Sequence, residues 1–169
     1  MHQPPNLSND QIEVWQQALE YFQMAFRAQQ EGDLAEAIRL YGHSITLYPS
    51  AEAHTFLGWV YSFLNLYTEA IAECQKAIAV DPSFGNPYND IGAYLMELGR
   101  NQEAVDWFRQ AIAAPRYEAR CYPYFNLGRV YEILGEWSLA IQHYRQALTL
   151  CPDYHQAKVA WQLLQAKMN

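Results

Sequence analysis

Histidine, cysteine and arginine are the residues through which this chain could do chemistry, and their spacing narrows what that chemistry is. Of five histidines, His2 stands near the start, and His43, His54, His143 and His155 have no second ligand three or four positions further along, so H-E-x-x-H and related metal sites are absent. Cys74, Cys121 and Cys151 are odd in number and lack C-x-x-C spacing, which predicts reduced thiols in apolar positions rather than a disulfide framework or a zinc site. No G-x-S-x-G elbow and no Gly-rich phosphate loop occurs. The expectation is a protein without catalytic residues, metal or cofactor. Arginine is the exception: Arg109, Arg116, Arg120 and Arg129 surround one acid, Glu118, a local balance of +3 that leaves −10 for the rest of a chain of net charge −7. Forked guanidinium donors suit a carboxylate or phosphate, and Asn89 and Asn126 can add neutral donors. Arg109, Arg116 and Arg120 are therefore a candidate anion patch, to be weighed against surface pairing with Glu97, Asp106, Glu118 and Glu132.

The elements that would position these residues come from a chain of 169 residues, 51% hydrophobic and 17% charged, long enough to bury a sizeable core. Its 18 acids against 11 Lys and Arg have the wrong sign for coating a phosphate backbone, which excludes nucleic acid as the expected partner. Charge interrupts the apolar stretches too often for a membrane span, and Met1 to Asp10 lacks the basic start and apolar run of a signal peptide, so a cytoplasmic location is expected.

The chain matches itself at a fixed period. Gly58, Gly92 and Gly128 follow Leu57, Ile91 and Leu127 at steps of 34 and 36 residues. Ala37, Ala70, Ala104 and Ala140 are each followed four residues later by Tyr41, Cys74, Phe108 and Tyr144, and Pro49, Pro82, Pro115 and Pro152 close each unit. Gly32-Asp33, Asn65-Leu66, Gly99-Arg100 and Gly135-Glu136 mark a turn inside each unit. Helices are predicted near 9–31, 34–47, 52–64, 67–80, 86–98, 101–113, 121–134, 137–150 and 154–167. A small residue on the first helix of each pair would let the second approach, its Ala supplying the reciprocal gap, with aromatics filling the space between pairs.

This pattern resembles the tetratricopeptide repeat, in which an aromatic, Leu-Gly, Tyr, Ala, an aromatic and Pro recur over about 34 residues. Tyr124, Leu127, Gly128, Tyr131, Ala140, Tyr144 and Pro152 fit it throughout; His54 and Cys74 are departures in the second unit and Leu95 in the third. The resemblance implies an all-α fold, a right-handed α-α superhelix of four hairpins, with repeats at about 18–50, 51–84, 85–120 and 121–154 and a capping helix at 155–168, forming one domain over 8–169 behind a flexible tail at 1–7. Small stand-alone bacterial repeat proteins look most similar. The chaperone-binding carboxylate clamp of some members is not expected, because its places here hold Phe22, Asn86 and Asp90.

In this family the first helix of each pair lines a concave groove that binds peptides, which implies a protein or peptide partner. Family geometry directs Phe22, Phe26, Thr55, Trp59, Asn89, Met96, Phe125, Asn126 and Arg129 into that groove, aromatic in its first half and polar in its second. Ser8 and Gln11 form a capping-box signature for a first helix about two turns longer than its repeat requires, and Ile12, Trp15, Leu19, Phe22 and Phe26 continue one apolar stripe along it. That stripe either packs on the chain's own hairpins or, through Ile12 and Trp15, meets a second copy or lies in the groove. The leading expectation is a non-catalytic adaptor or assembly factor; a self-associating structural subunit is the alternative, and an enzyme acting on a groove-bound anion the remote one.

Overall fold

The computed structural model describes residues 8–168, and among them the fold is all-α, as the repeat predicts. Residues 1–7, read above as a tail, and Asn169 lie outside the described residues. In chain order the helices are α1 (Asn9–Glu31), α2 (Leu34–Leu47), α3 (Ala51–Phe63), α4 (Tyr67–Val80), α5 (Asn86–Glu97), α6 (Asn101–Ala113), α7 (Cys121–Ile133), α8 (Trp137–Leu150) and α9 (His155–Met168). Successive pairs pack as hairpins, and α9 packs on α8. They fall into two compact units, the residues up to Pro82 and those from Ser83.

The first unit starts at a capping box: Ser8 Oγ accepts from Gln11 N–H, and the Gln11 side chain accepts from Ser8 N–H at 3.0 Å. Gly32 ends α1 in the left-handed region at φ 84°, and Asn65 does the same work between α3 and α4 at φ 60°. Ala25 on α1 is fully buried beside Tyr41 of α2, in a cluster with Ala28, Ala37, Leu40, Leu57 and Val60. The Tyr41 hydroxyl donates to Gln29 Oε1 at 2.9 Å, and Ser44 Oγ donates to the Ala18 carbonyl at 2.7 Å, so α2 holds α1 from the start of the repeat to its end. In the second hairpin His54 replaces the large aromatic, and its imidazole donates to Glu73 Oε2 at 2.7 Å while Lys76 reaches Glu73 Oε1 at 2.6 Å. Burial pushes the Glu73 carboxyl up, but the hydrogen bonds from His54 and Lys76 outweigh it and hold the group below its ordinary range.

The second unit shows what the glycines are for. A Cβ at Gly92 would lie 2.6–2.8 Å from the Phe108 ring, and one at Gly128 would overlap Tyr144, so each first helix rests directly on the aromatic of the second. In the second hairpin, where Cys74 replaces the aromatic, Gly58 faces the Ala70 carbonyl and Cys74 Sγ, and the Ala of every second helix is fully buried. The 36-residue step is absorbed between α6 and α7. Arg116 N–H donates to the Ser83 carbonyl at 2.9 Å and Gly85 N–H to the Arg116 carbonyl at 3.0 Å, a parallel bridge pairing Phe84 with Arg116. Tyr117 is then driven into the core against Gly85, where a Cβ would overlap its ring.

Cys121 and Cys151 form a disulfide, with their Cα atoms 6.0 Å apart, which corrects the expectation of three reduced thiols; Cys74 is free and buried, as expected. One is the first residue of α7 and the other caps α8, so closing the hairpin brings them together despite a sequence separation of 30. Such bonds persist in oxidising surroundings.

His143 on α8 stacks on Tyr131 at 5.2 Å and on Tyr124 at 6.1 Å. Burial, helped by the nearby Arg109 charge, pushes its pKa below the ordinary 6.5. The unfolded chain therefore takes up a proton more readily than the folded one. The stability contributed by neutral His143 is complete above pH 6.5 and is lost as pH falls through the lower folded value. Thermal denaturation from pH 7.5 down to about 5 should show the midpoint falling in the wild type and falling less in His143→Gln; parallel profiles would contradict this.

Candidate protein-interaction surfaces

In the first unit α1 and α3 interleave a ladder of rings. Phe22 and Phe26 stand four residues apart on one face of α1, and Phe56 and Trp59 three apart on one face of α3. Phe22 and Phe56 meet edge to face at 5.2 Å, Phe26 and Phe56 at 5.7 Å, and Phe56 and Trp59 lie 4.7 Å apart at a tilt. Phe22 rests on Tyr41 at 5.5 Å, which anchors the ladder to the core. Phe26 remains 42% exposed, while Phe22, Phe56 and Trp59 are half-buried, so their outer edges face solvent.

Thr55, expected beside these rings, is instead 1% exposed, and its hydroxyl donates to the Ala51 carbonyl at 2.7 Å. Its neighbour Phe56 takes the place. Phe56 stands two residues before Gly58, as Asn126 stands two before Gly128, and that shared register was the signal available for finding it.

The surface of the second unit is polar. Asn126 of α7 donates its amide to Asn89 Oδ1 of α5 at 3.1 Å, and Asn89 donates to Asp90 Oδ1 at 3.3 Å. Phe125 packs on Tyr154 at 5.0 Å and Tyr144 at 5.8 Å, and the exposed Arg129 guanidinium lies 6.0 Å from the Phe125 ring centroid. Burial, helped by Tyr122, pushes the Tyr154 phenol up to about 12, so it stays neutral under these rings. Met96, expected in the groove, is buried at 9% exposure. The reason is its register: the position four after the small residue faces the aromatic of the second helix. Gln29 and Glu132 occupy that position where the aromatic is Tyr41 or Tyr144 and accept its hydroxyl, whereas apolar Met96 occurs where it is Phe108.

Arg109, Arg116 and Arg120, expected as an anion patch, each meet partners nearby. Arg109 bonds Asp106 and the Tyr131 hydroxyl, Arg116 stacks 4.1 Å from the centroid of Phe84, and Arg120 donates to the Ala114 and Pro115 carbonyls. Each is engaged by local structure, and Arg129 lies one turn beyond Asn126 on α7. Ile12 and Trp15 are half-buried within the chain itself. Among the described residues no three of His, Cys, Asp and Glu gather as a metal site needs, and no helix is long and apolar enough to cross a membrane.

Charge divides sharply between the units. Up to Pro82 there are 3 Lys and Arg against 10 Asp and Glu, a difference of −7; from Ser83 there are 8 against 8, a difference of 0.

Stacked helix hairpins with a small residue beneath each second-helix aromatic define a helical repeat protein built for interaction. The tetratricopeptide repeat family profile matches residues 84–153 and again 51–84, and the chain belongs to that family. Anaphase-promoting complex subunit 6 of Arabidopsis thaliana is 30% identical over 130 residues, 75% of this chain and 24% of that one. Small glutamine-rich tetratricopeptide repeat-containing protein 2 of Mycosarcoma maydis is 30% identical over 87 residues, 51% of this chain and 25% of that one. The chain thus spans about a quarter of the length of these curated relatives. Among solved structures, MamA superposes with a TM-score of 0.73 at 26% identity, over 88% of this chain and 80% of that one. PilF of Pseudomonas aeruginosa superposes with a TM-score of 0.85 at 24% identity, over 95% of this chain and 71% of that one.

Proposed function

We propose that the chain is a non-catalytic adaptor or assembly factor that binds an extended or helical segment of a partner protein on the ring ladder of its first unit. The observation that carries this is the ladder itself: Phe22, Phe26, Phe56 and Trp59 present aromatic edges to solvent from two adjoining helices, with Phe26 42% exposed. Aromatic side chains offer large contact area at low conformational cost and anchor binding interfaces. Membership of a family of interaction modules supports the reading, as does a relative that is by name a subunit of a larger complex. Covering about 400 Å² of apolar surface contributes ~10 kcal/mol gross, against several to more than ten for ordering and association, so exchangeable micromolar binding is expected.

Quantitative affinity capture from a source lysate tests this, with wild type beside a Phe26→Ala/Trp59→Ala variant of matched helicity. A partner held by wild type is expected to fall by about tenfold or more on the variant, as for loss of two aromatic anchors. Partners retained equally by both would remove function from the ladder.

A further inference from the structure

Among the described residues, cations that stand three residues from a carboxylate close on it. Arg39 meets Glu36, Lys76 meets Glu73 and Arg100 meets Glu103, each at 2.6 Å, and Arg109 meets Asp106 at 3.3 Å. Arg129 stands three residues before Glu132 and does not close. Glu132 is held elsewhere: its Oε2 accepts the Tyr144 hydroxyl at 2.9 Å, and its Oε1 faces Lys167 Nζ at 3.7 Å. The exposed guanidinium of Arg129 has instead the rim of the Phe125 ring as its neighbour. Asn126 lies one turn earlier on the same face of α7. Its amide nitrogen uses one of two hydrogens on Asn89, and that of Asn89 uses one of two on Asp90. The spot is therefore rich in donors: Asp90 takes up one hydrogen of Asn89, and Glu132, the carboxylate three residues from Arg129, is tied down by Tyr144 and Lys167.

We infer that Arg129, with the free amide hydrogens of Asn126 and Asn89, is a receiving site for a carboxylate of a partner polypeptide. A planar carboxylate matches the guanidinium fork with two parallel bonds, and neutral amide donors beside it add hydrogen bonds without a further charge to desolvate. The units' charges agree: an acidic ligand meets no net repulsion from the second unit, whereas the first carries −7. This site is separate from the ring ladder and stands or falls independently of it.

The test titrates the ¹⁵N-labelled full chain with a decapeptide of alternating Glu and Ala bearing a free C-terminal carboxylate. Two further peptides accompany it, one with the C-terminus amidated and one with Gln for Glu and an amidated end. The acidic peptide is expected to shift the Arg129 Nε–H and Asn126 side-chain amide resonances. Its affinity should fall about tenfold in Arg129→Gln and severalfold in Asn126→Ala, as for charge-assisted and neutral hydrogen bonds respectively. The amidated acidic peptide then separates a side-chain carboxylate from a terminal one. Lys167→Ala, which loosens Glu132 toward Arg129, should weaken binding severalfold, while Lys158→Ala, an equal change of charge, stays within about twofold. The Phe26→Ala/Trp59→Ala variant should bind the acidic peptide as wild type does. Equal affinity for the Gln peptide, shifts confined to other residues, or Arg129→Gln binding no worse than Lys158→Ala would each overturn the assignment.

Discussion

Replacing Gly128 with alanine is expected to destabilise the second unit by about 3 kcal/mol, at the upper end of overpacking costs and against the usual gain from Gly to Ala in a helix. The added methyl would overlap Cδ1 and Cε1 of Tyr144 and sit 3.0 Å from its Cγ. That ring is 1% exposed and its hydroxyl is tied to Glu132, so it cannot swing aside without breaking that bond. Gly92→Ala should behave alike against Phe108. Gly58→Ala should cost only about 1 kcal/mol, because its methyl would meet the Ala70 carbonyl at 3.1 Å and the slimmer Cys74 Sγ at 3.2 Å. Thermal denaturation of the three variants measures the order; equal losses at Gly58 and Gly128 would refute it.

Cys151→Ser is expected to cost about 3–4 kcal/mol, the loop-closure entropy of a cross-link spanning 30 positions. The bond fastens the start of α7 to the end of α8, closing the end of the hairpin opposite its turn. Alkylation in denaturant without reductant should modify Cys74 alone, and after reduction all three cysteines. Three alkylated thiols without reductant would show the bond to be absent.

The scaffold was legible because its signals are local. Turn residues with positive φ sit where the repeat places them, and Asn65 substitutes for glycine as its side chain allows. Even the disulfide was within reach, since the repeat's phase puts Cys121 and Cys151 at the two ends of one hairpin. The surfaces were less legible. Counting four residues on from each small residue leads into the interface between paired helices, which is why Met96 is buried and Glu132 belongs to Tyr144. Thr55 turned inward onto its own helix and Phe56 outward, a difference of one residue in register that composition does not reveal. The arginines were drawn off by partners distant in sequence, such as Tyr131 and Phe84, or by carbonyls of an irregular loop. Only packing settles such competition.

The partition of charge also bears on how the chain behaves as a colloid. With 8 basic and 8 acidic residues, the second unit lies near its own isoelectric point at neutral pH, the condition under which proteins precipitate most readily. The surplus of −7 on the first unit keeps the whole chain dispersed. Salt that screens this charge, or acid that neutralises it, therefore removes the solubility of both units through one of them.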